Sequence, residues 1–388
     1  MTVARLFLLP AAALAFVLAV QATPSSQTPG AVRPRPAEGR EPELPAPTIR
    51  QYKPRSTLVV PQHPVPRAKY PVVDLHGHPP PLTSPEVVNQ VVEAMDPVNV
   101  RIMVNANGTP GARLTEALES IKGSRYKDRM AMFTAINVRG LAQGDGVRMA
   151  QQLEADIKAG AVGLGEIMKD FGMQARKSDG SRLMLDDPEL DPVWQTAARL
   201  AIPVLIHTAD PAEFFAPLDY TNERWLEQAI YSNRRYQDRS RYPAFETLMQ
   251  ERDRLIARHP KTTFILAHLG WHANDLGRLG ALMDAHPNVY GEVGAILYDL
   301  GRQPRAAHDF FVKYQDRLLF GKDSFQPDEY PYYWRTFESA DEYFDYYRDY
   351  HAFWKLYGMA LPDEVLKKLY YGNALRLMPG LSKAGFPN

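Results

Sequence analysis

The most informative stretch of the sequence is Val72–His78, VVDLHGH, in which a short apolar run ends in two histidines. Side chains alternate along a β-strand, so His76 and His78 point to the same side. Two imidazoles on one side can bind a single divalent ion, and Gly77 between them keeps the opposite side free of bulk. Two polar residues in a loop would give the same pattern, so other segments have to distinguish the two interpretations.

Seven further apolar or β-branched runs follow, and segments with a helical pattern separate them. This alternation predicts βα units around a parallel sheet whose strands are covered on both faces. The predicted strands are 70–75, 99–105, 131–138, 161–168, 202–208, 262–269, 289–296 and 318–325. The predicted crossover helices include 84–95, 146–159, 192–201, 274–285 and 305–314. Eight βα units close an α/β (β/α)₈ TIM barrel, whereas a doubly wound open sheet is the structural alternative.

Three of the later predicted strands also end in a titratable side chain. His207 closes the fifth strand, His268 closes the sixth, and Asp323 follows the apolar residues of the eighth. One such residue is commonly a hydrogen-bonded core residue, but four strands out of eight are more simply explained by convergence at one mouth of a barrel. Imidazole and carboxylate ligands suit Zn²⁺, Mn²⁺, Fe²⁺ or Co²⁺, and zinc is the first candidate.

Other polar residues near the same rim allow more than one role. Glu166 or a carbamylated Lys169 could bridge two metal ions, and we prefer Glu166; charges that point to the surface are the alternative. Asp74 has the same direction as the two histidines of the first strand, where it could orient a ligand imidazole or serve as a structural carboxylate. Among the remaining histidines, only His272 is expected to approach the site.

The composition limits the classes of function. Lysine plus arginine and aspartate plus glutamate both number 45, so no net charge recruits nucleic acid or an anionic membrane, and the expected partner is a small-molecule substrate. The sequence has no cysteine, which excludes disulfides, thiolate ligands and a cysteine nucleophile. It also lacks a Gly-x-Ser-x-Gly motif and a P-loop motif.

The N-terminus predicts export. Arg5 precedes the apolar run 6–20, and small residues predict cleavage after Ala22, so residues 1–22 form a predicted signal peptide. A permanent membrane anchor is disfavoured because the run has about 15 residues where about 20 are needed. Residues 23–67 hold eleven of the 33 prolines and are predicted to be a linker, which leaves 68–388 for the barrel domain. We expect a periplasmic or secreted protein.

Together these residues resemble the amidohydrolase superfamily, specifically its amidohydrolase-related branch, which contains aminocarboxymuconate-semialdehyde decarboxylase and its relatives. The resemblance covers roughly residues 71–377, including a closing segment that ends in YYGNALRL. The family pattern places His-x-His on the first strand, histidines on the fifth and sixth, and aspartate on the eighth. It implies metal ligands at His76, His78, His207 and Asp323, with catalytic roles for His268 and Asp323.

One feature differs from the decarboxylase-like members, which use one metal ion. Glu166 is similar to the bridging glutamate of TatD-like deoxyribonucleases, so the resemblance implies one or two ions, with Glu166 as an additional ligand.

Two segments are longer than a simple barrel requires. The interval between His207 and His268 is rich in arginine and aromatic residues and predicts an inserted helical cap. A second aromatic-rich segment, 330–357, could line the pocket or form a helix packed against the barrel.

The leading functional hypothesis is hydrolysis of an ester, amide or lactone-like small molecule by water activated on the metal. Asp323 would take the proton of the water, and His268 would donate a hydrogen bond or proton to the reacting group. Lys169 and Lys322 are candidates for substrate binding. Decarboxylation or hydration of an aromatic or unsaturated acid is the second hypothesis, and a catalytically silent binding domain is the third. The substrate and the oligomeric state stay open.

Overall fold

The computed structural model describes residues 44–351 and 353–387. The predicted signal peptide and the first part of the predicted linker lie outside the described residues, so those assignments stay predictions. The described residues fall into two units that divide between Gln51 and Tyr52. In the first unit, the described part contains one turn, in which the Gln51 amide donates to the Thr48 carbonyl at 2.9 Å. All elements below belong to the second unit.

The second unit is built on one parallel sheet. Its nine strands are β1 Val72–His78, β2 Val100–Asn105, β3 Met130–Thr134, β4 Gly163–Ile167, β5 Pro203–Ile206, β6 Thr263–Leu266, β7 Val289–Glu292, β8 Leu318–Leu319 and β9 Asp323–Ser324. Neighbours along the chain pair in parallel from β1 to β8. All eight predicted strands are present, and most of them are shorter than predicted because their ends turn into loops.

The sheet closes through its last strand, which is broken in two. β8 pairs with β7, and β9 pairs with β1 after a break of three residues, with Asp323 opposite Gly77. Within the break, the Leu75 amide donates to the Phe320 carbonyl at 3.1 Å. The eighth strand therefore bonds to β7 and β1 in succession, as a closed barrel requires, and the open sheet is excluded.

Helices surround this barrel and join successive strands. They are α1 Pro85–Met95, α2 Ala112–Gly123, α3 Asp145–Ala159, α4 Asp170–Met173, α5 Asp191–Arg199, α6 Trp225–Ile230, α7 Phe245–Arg258, α8 Leu276–Ala285, α9 Leu297–Arg302, α10 Pro304–Lys313, α11 Tyr330–Glu338, α12 Asp363–Lys367 and α13 Asn373–Leu377. The five predicted crossover helices correspond to α1, α3, α5, α8 and α10. Among the described residues, no helix combines the length and the apolar character needed to cross a membrane.

The local sequence explains where these elements begin and how they pack. α1 starts after Ser84, whose hydroxyl accepts from the Val87 amide, with Pro85 in the first helical turn and apolar residues on its buried face. At the other end of the domain, the Asn373 side-chain amide donates to the Leu318 carbonyl at 2.8 Å. The closing segment of the chain thus holds the eighth strand in place.

The long interval after β5 forms the predicted cap. It contains α6 and two short 3₁₀ helices before α7 leads back to the barrel. The aromatic segment after β9 divides into two parts. The buried face of α11 includes Tyr330, Tyr333 and Trp334, as expected for a helix packed against the barrel. The described members of residues 339–357 form a short 3₁₀ turn and one antiparallel bridge, between Phe344 and Leu356.

Candidate metal centre

Histidine and carboxylate side chains from several strands meet at the C-terminal mouth of the barrel. β1 supplies His76 and His78, β4 supplies Glu166, and His207 follows the end of β5. His268 follows β6, and the Asp323 carboxylate comes from β9. The structure therefore brings all the predicted site residues to one place.

His76 is buried and held by a carboxylate from β7. Its Nδ1 lies 2.9 Å from Oε2 of Glu292, which therefore accepts the ring proton. This contact fixes the tautomer and leaves Nε2 as a lone-pair donor. His76 Nε2 lies 3.4 Å from Glu166 Oε2 but has no hydrogen-bond partner among the described residues. A buried nitrogen without a partner is costly, and a metal ion would satisfy it.

His78 is held in a similar way at the more open side of the site. Its Nδ1 lies 2.9 Å from the Asn107 side-chain oxygen. Its Nε2 lies 3.2 Å from Glu166 Oε2 and 3.5 Å from Asp323 Oδ1. The backbone also requires the glycine between the two histidines, since a Cβ on Gly77 would lie 2.6 Å from the Met103 side chain.

Glu166 lies at the centre of the cluster. Oε2 faces the two β1 histidines, and Oε1 lies 2.5 Å from His207 Nδ1. His207 Nε2, also buried, has no hydrogen-bond partner within the described part of the chain. One carboxylate thus contacts histidines from two different strands, which is the arrangement that a bridging ligand requires.

His268 sits on a short segment of left-handed backbone, with a φ of 58°. Its Nδ1 lies 2.8 Å from the Gly294 carbonyl and must donate to it, so Nε2 is the free acceptor. The buried Arg252 guanidinium supports the segment by donating to the Gly270 carbonyl at 3.0 Å. The Trp271 indole, 4.6 Å from the His268 ring between centroids, covers one face of it.

Asp323 is the most exposed of the predicted ligands, with 35% of its side chain accessible, against 22% for His78 and 10% for His207. Its backbone is left-handed, with a φ of 76°. The open side of the site, where a substrate would enter, is therefore bordered by His78 and Asp323.

Charge is strongly coupled across the cluster. Burial disfavours the ionised form of Glu166, but the His76 and His207 rings lower its pKa well below the ordinary value. Burial lowers the pKa of His76, while Glu292 and Glu166 raise it well above the ordinary value. The negative charge that favours a proton on His76 would equally favour a cation.

The donors fit a divalent metal ion. Three overlapping groups each keep their donor atoms within 4.8 Å of one another: His76–His78–Glu166, His76–His268–Glu292 and Glu166–His207–His268. Asp323 is in none of these groups and joins the site through His78. Imidazole and carboxylate donors, together with the unpaired Nε2 atoms of His76 and His207, are the chemistry that a transition metal requires.

Sequence reasoning missed Glu292. Its Oε2 accepts from the His76 ring and, at 3.1 Å, from the His268 backbone amide. It therefore connects β1 and the segment after β6. The available signal was its position within the seventh predicted strand, which resembles the position of Glu166 in the fourth.

Asp74 was correctly expected near His76, and its hydrogen bonds distinguish between the two roles expected for it. Its Oδ1 accepts from the backbone amides of His76 and Lys322 at 3.1 and 3.2 Å, and Oδ2 accepts from the Tyr330 hydroxyl at 2.5 Å. Asp74 therefore positions the backbone at the junction of β1 and the eighth strand, and its hydrogen bonds do not involve the imidazole.

Three predicted contributors have other partners. Lys169 donates to Asp210 at 2.6 Å, and the buried Lys322 ammonium donates to Glu329 at 2.6 Å. His272 contacts the Arg252 guanidinium at 3.2 Å. The two lysines are engaged in ion pairs, and His272 supports the His268 segment from behind.

Comparison with known proteins gives one family match and several similar solved structures. The amidohydrolase family model matches residues 73–379. No curated protein sequence matches the chain. Solved structures with a similar fold include an uncharacterised TIM-barrel protein from Bordetella bronchiseptica, with 16% identity, coverage of 80% of this chain and 99% of that one, and a TM-score of 0.47.

Two further structures in this group are enzymes. A 2,6-dihydroxybenzoate decarboxylase is 15% identical, covering 80% of this chain and 98% of its own, with a TM-score of 0.44. A 4-oxalomesaconate hydratase from Rhodopseudomonas palustris is 15% identical, covering 80% and 96%, with a TM-score of 0.45. The family match spans most of the barrel domain, and the chain belongs to the amidohydrolase family of metal-dependent enzymes.

Proposed function

We propose that this enzyme is an exported hydrolase that cleaves a small-molecule ester, amide or lactone with water. One observation carries the proposal. The site combines a cluster of side chains that can bind a metal ion with a histidine whose second ring nitrogen is free to accept a proton. His76, His78, His207, Glu166 and Asp323 would hold the metal, which is most simply zinc, and Glu166 supports a second ion by facing two sets of histidines.

A bound divalent ion would polarise the substrate carbonyl and lower the pKa of a water ligand to about 7. Asp323 lies at the open side of the site, where its carboxylate can take the proton of the attacking water. Burial disfavours the ionised form of Asp323, but the His268 and His76 rings, when they carry a proton, lower its pKa below the ordinary value. The carboxylate is therefore ionised at neutral pH and can accept a proton.

His268 has the second role. Burial lowers its pKa to about 4, with His207 acting in the same direction, so the ring is neutral at pH 7. The bond from Nδ1 to the Gly294 carbonyl leaves Nε2 without a proton. His268 would therefore receive at Nε2 the proton that Asp323 takes from the water and then donate it to the leaving group, so the proton lost by the water ends on the leaving group. This refines the donor role expected from the sequence.

The test is product analysis with the metal-loaded protein on a panel of esters, amides, lactones and aromatic acids in H₂¹⁸O. Hydrolysis predicts ¹⁸O in the carboxylate product and no carbon dioxide. Release of carbon dioxide from an acid would replace the hydrolase assignment with decarboxylation, and addition of water to a double bond would replace it with hydration. No turnover of any class by metal-loaded protein would favour the silent binding domain.

Export has its own test. Expression of the full chain with a C-terminal tag, followed by N-terminal sequencing of the exported fraction, should give a mature protein that begins near Thr23. Retention in the cytoplasm with Met1 intact would contradict the proposed export.

A further inference from the structure

An arginine lies in a cluster of tyrosines in the segment that follows α11, the helix whose Tyr333 contacts the loop after β7. The Arg348 guanidinium carbon is 5.7 Å from the centre of the Tyr298 ring and 5.6 Å from that of Tyr347. Arg348 is half-buried, so one part of it is accessible. Within residues 44–351 and 353–387, no carboxylate lies within 4.0 Å of its guanidinium, whereas the neighbouring Arg224, Arg234 and Arg302 are all paired.

Arg224, which contacts the same tyrosine, is the informative contrast. Arg224 is buried, lies over the Tyr298 ring at 4.4 Å, and reaches carboxylates of Glu213, Glu227 and Asp299 at 3.3, 3.2 and 3.5 Å. The fold thus neutralises its structural arginine with three carboxylates. Among the described residues it supplies none to Arg348, whose five N–H donors are the groups that bind an anion.

A second polar group near Arg348 also lacks a partner. The hydroxyl oxygen of Tyr346 is buried and has no hydrogen-bond partner within the part of the chain that the structure describes. The Tyr346 ring lies 4.5 Å from that of Tyr347, between centroids. A buried hydroxyl without a partner, next to an arginine without a carboxylate, is the arrangement expected where a ligand supplies the acceptor.

A chain of contacts connects the cluster to His268. The Tyr333 hydroxyl, on the buried face of α11, accepts from the Ala295 amide at 3.0 Å. Ala295 follows Gly294, whose carbonyl holds the His268 ring. Tyr332, the residue before Tyr333 in α11, has its ring 5.2 Å from that of Tyr347. α11 and the Tyr347 ring therefore link Arg348 to the segment after β7, whose Gly294 carbonyl holds the His268 ring.

We propose that Arg348, with the Tyr346 hydroxyl, binds a carboxylate of the substrate at a distance from the reacting carbonyl. The planar guanidinium fork matches a carboxylate with two parallel hydrogen bonds, and a single positive charge among phenol rings suits a monoanion. The substrate is then a small organic acid that carries the ester, amide or lactone as a second group. This inference rests on the proposed function, since it names the substrate class of the same site.

The experiment compares binding of benzoate and benzamide, which have similar shapes but differ in charge, to the metal-loaded protein by calorimetry. The variants are Arg348→Met and Arg348→Lys, with Arg241→Met as the control. Arg241 is an exposed cap arginine that also lies beside a tyrosine, 5.4 Å from the Tyr242 ring. Metal content is measured for every protein.

We expect wild-type protein to prefer benzoate by at least about tenfold, the scale of one charge-assisted contact. Arg348→Met should remove this preference and leave benzamide binding and metal content unchanged, Arg348→Lys should be intermediate, and Arg241→Met should match wild type. Unchanged benzoate binding in Arg348→Met, equal loss of both probes, or a wild-type protein without preference would overturn the inference. Wild-type protein that shows the Arg348-dependent preference but takes up no metal would instead refute the proposed function alone.

Discussion

The Nδ1 atom of His76 lies 2.9 Å from Oε2 of Glu292, and the same carboxylate oxygen accepts from the His268 backbone amide at 3.1 Å. One buried carboxylate thus sets the orientation of His76, a proposed metal ligand, and the position of His268, the proposed catalytic histidine. The Glu292 carboxylate keeps both groups fixed before the substrate binds. Metal affinity and proton transfer at one site both require this fixed arrangement.

Substitution of this carboxylate should weaken metal binding. We expect Glu292→Gln to fold normally and to lose metal affinity about 10–100-fold, because such outer contacts orient the ligand ring and raise its basicity. Competition with a chelator measures the loss. Glu246→Gln, which removes one half of an exposed ion pair with Arg278, is the matched control. Equal metal affinity in the folded Glu292→Gln and wild-type proteins would show that Glu292 has only a packing role.

His268 should be needed for turnover and dispensable for metal retention. We expect His268→Gln to lower kcat by about 10²–10⁴-fold, the usual contribution of a positioned acid or base, with unchanged metal content. His308→Gln is the control, since His308 Nδ1 also donates to a backbone carbonyl, that of Met359 at 2.9 Å, but outside the site. Loss of metal from His268→Gln would make His268 a ligand, and full activity would remove it from the mechanism.

The buried charges of the cap should be a strong determinant of stability. We expect Arg224→Met to destabilise the fold by about 3–5 kcal/mol, because it leaves the carboxylates around Arg224 without compensation. Arg278→Met, which breaks the exposed pair with Glu246, should cost no more than about 1 kcal/mol. Urea unfolding of the metal-loaded proteins measures both. A similarly small loss of stability in both variants would mean that water or rearranged side chains compensate the charge of the cap carboxylates.

Acid should destabilise the same region through His351. Burial lowers the pKa of His351 to about 4, with the Arg224 and Arg348 charges acting in the same direction against the nearby Glu227 carboxylate. The unfolded chain binds a proton near pH 6.5 and the folded chain only near pH 4, so stability falls as the pH drops from 6.5 to 4, by at most about 3 kcal/mol for this group.

Unfolding measured at pH 7 and pH 5 tests this prediction. His351→Gln should lose less stability between these two values than wild type, because the variant has no group to titrate there. Part of the loss of stability should persist in His351→Gln, because the pKa values of His272 and His268 are also lowered. An identical pH dependence in the two proteins would contradict the assignment.

The barrel and the main site residues were predictable because parallel strands bring their C-terminal ends to one edge. A histidine at the end of β5 and another after β6 must therefore approach the His-x-His of β1, whatever the loops do. The order of the strands and the family resemblance could both be inferred from the sequence without information on side-chain contacts. Both are confirmed by the closed sheet and the family match.

Features that depend on contacts between distant segments were not predictable. Glu292 matters because its carboxylate reaches His76 and the backbone of His268, and a single carboxylate at a strand end does not reveal such partners. Lys169 and Lys322 looked available, but Asp210 and Glu329 engage them. Arg348 stands in an irregular segment whose course follows from tertiary packing of tyrosines, not from a periodic pattern.

The proposed function requires that the histidines and carboxylates at the barrel mouth form a metal site. Elemental analysis of protein purified without chelator, for wild type and for His76→Ala, His207→Ala and Asp323→Ala, tests it most directly. We expect close to one or two transition-metal ions per wild-type chain, with loss in the folded variants, and the stoichiometry decides whether Glu166 bridges two ions. Folded wild-type protein that neither retains nor takes up a divalent metal would contradict it.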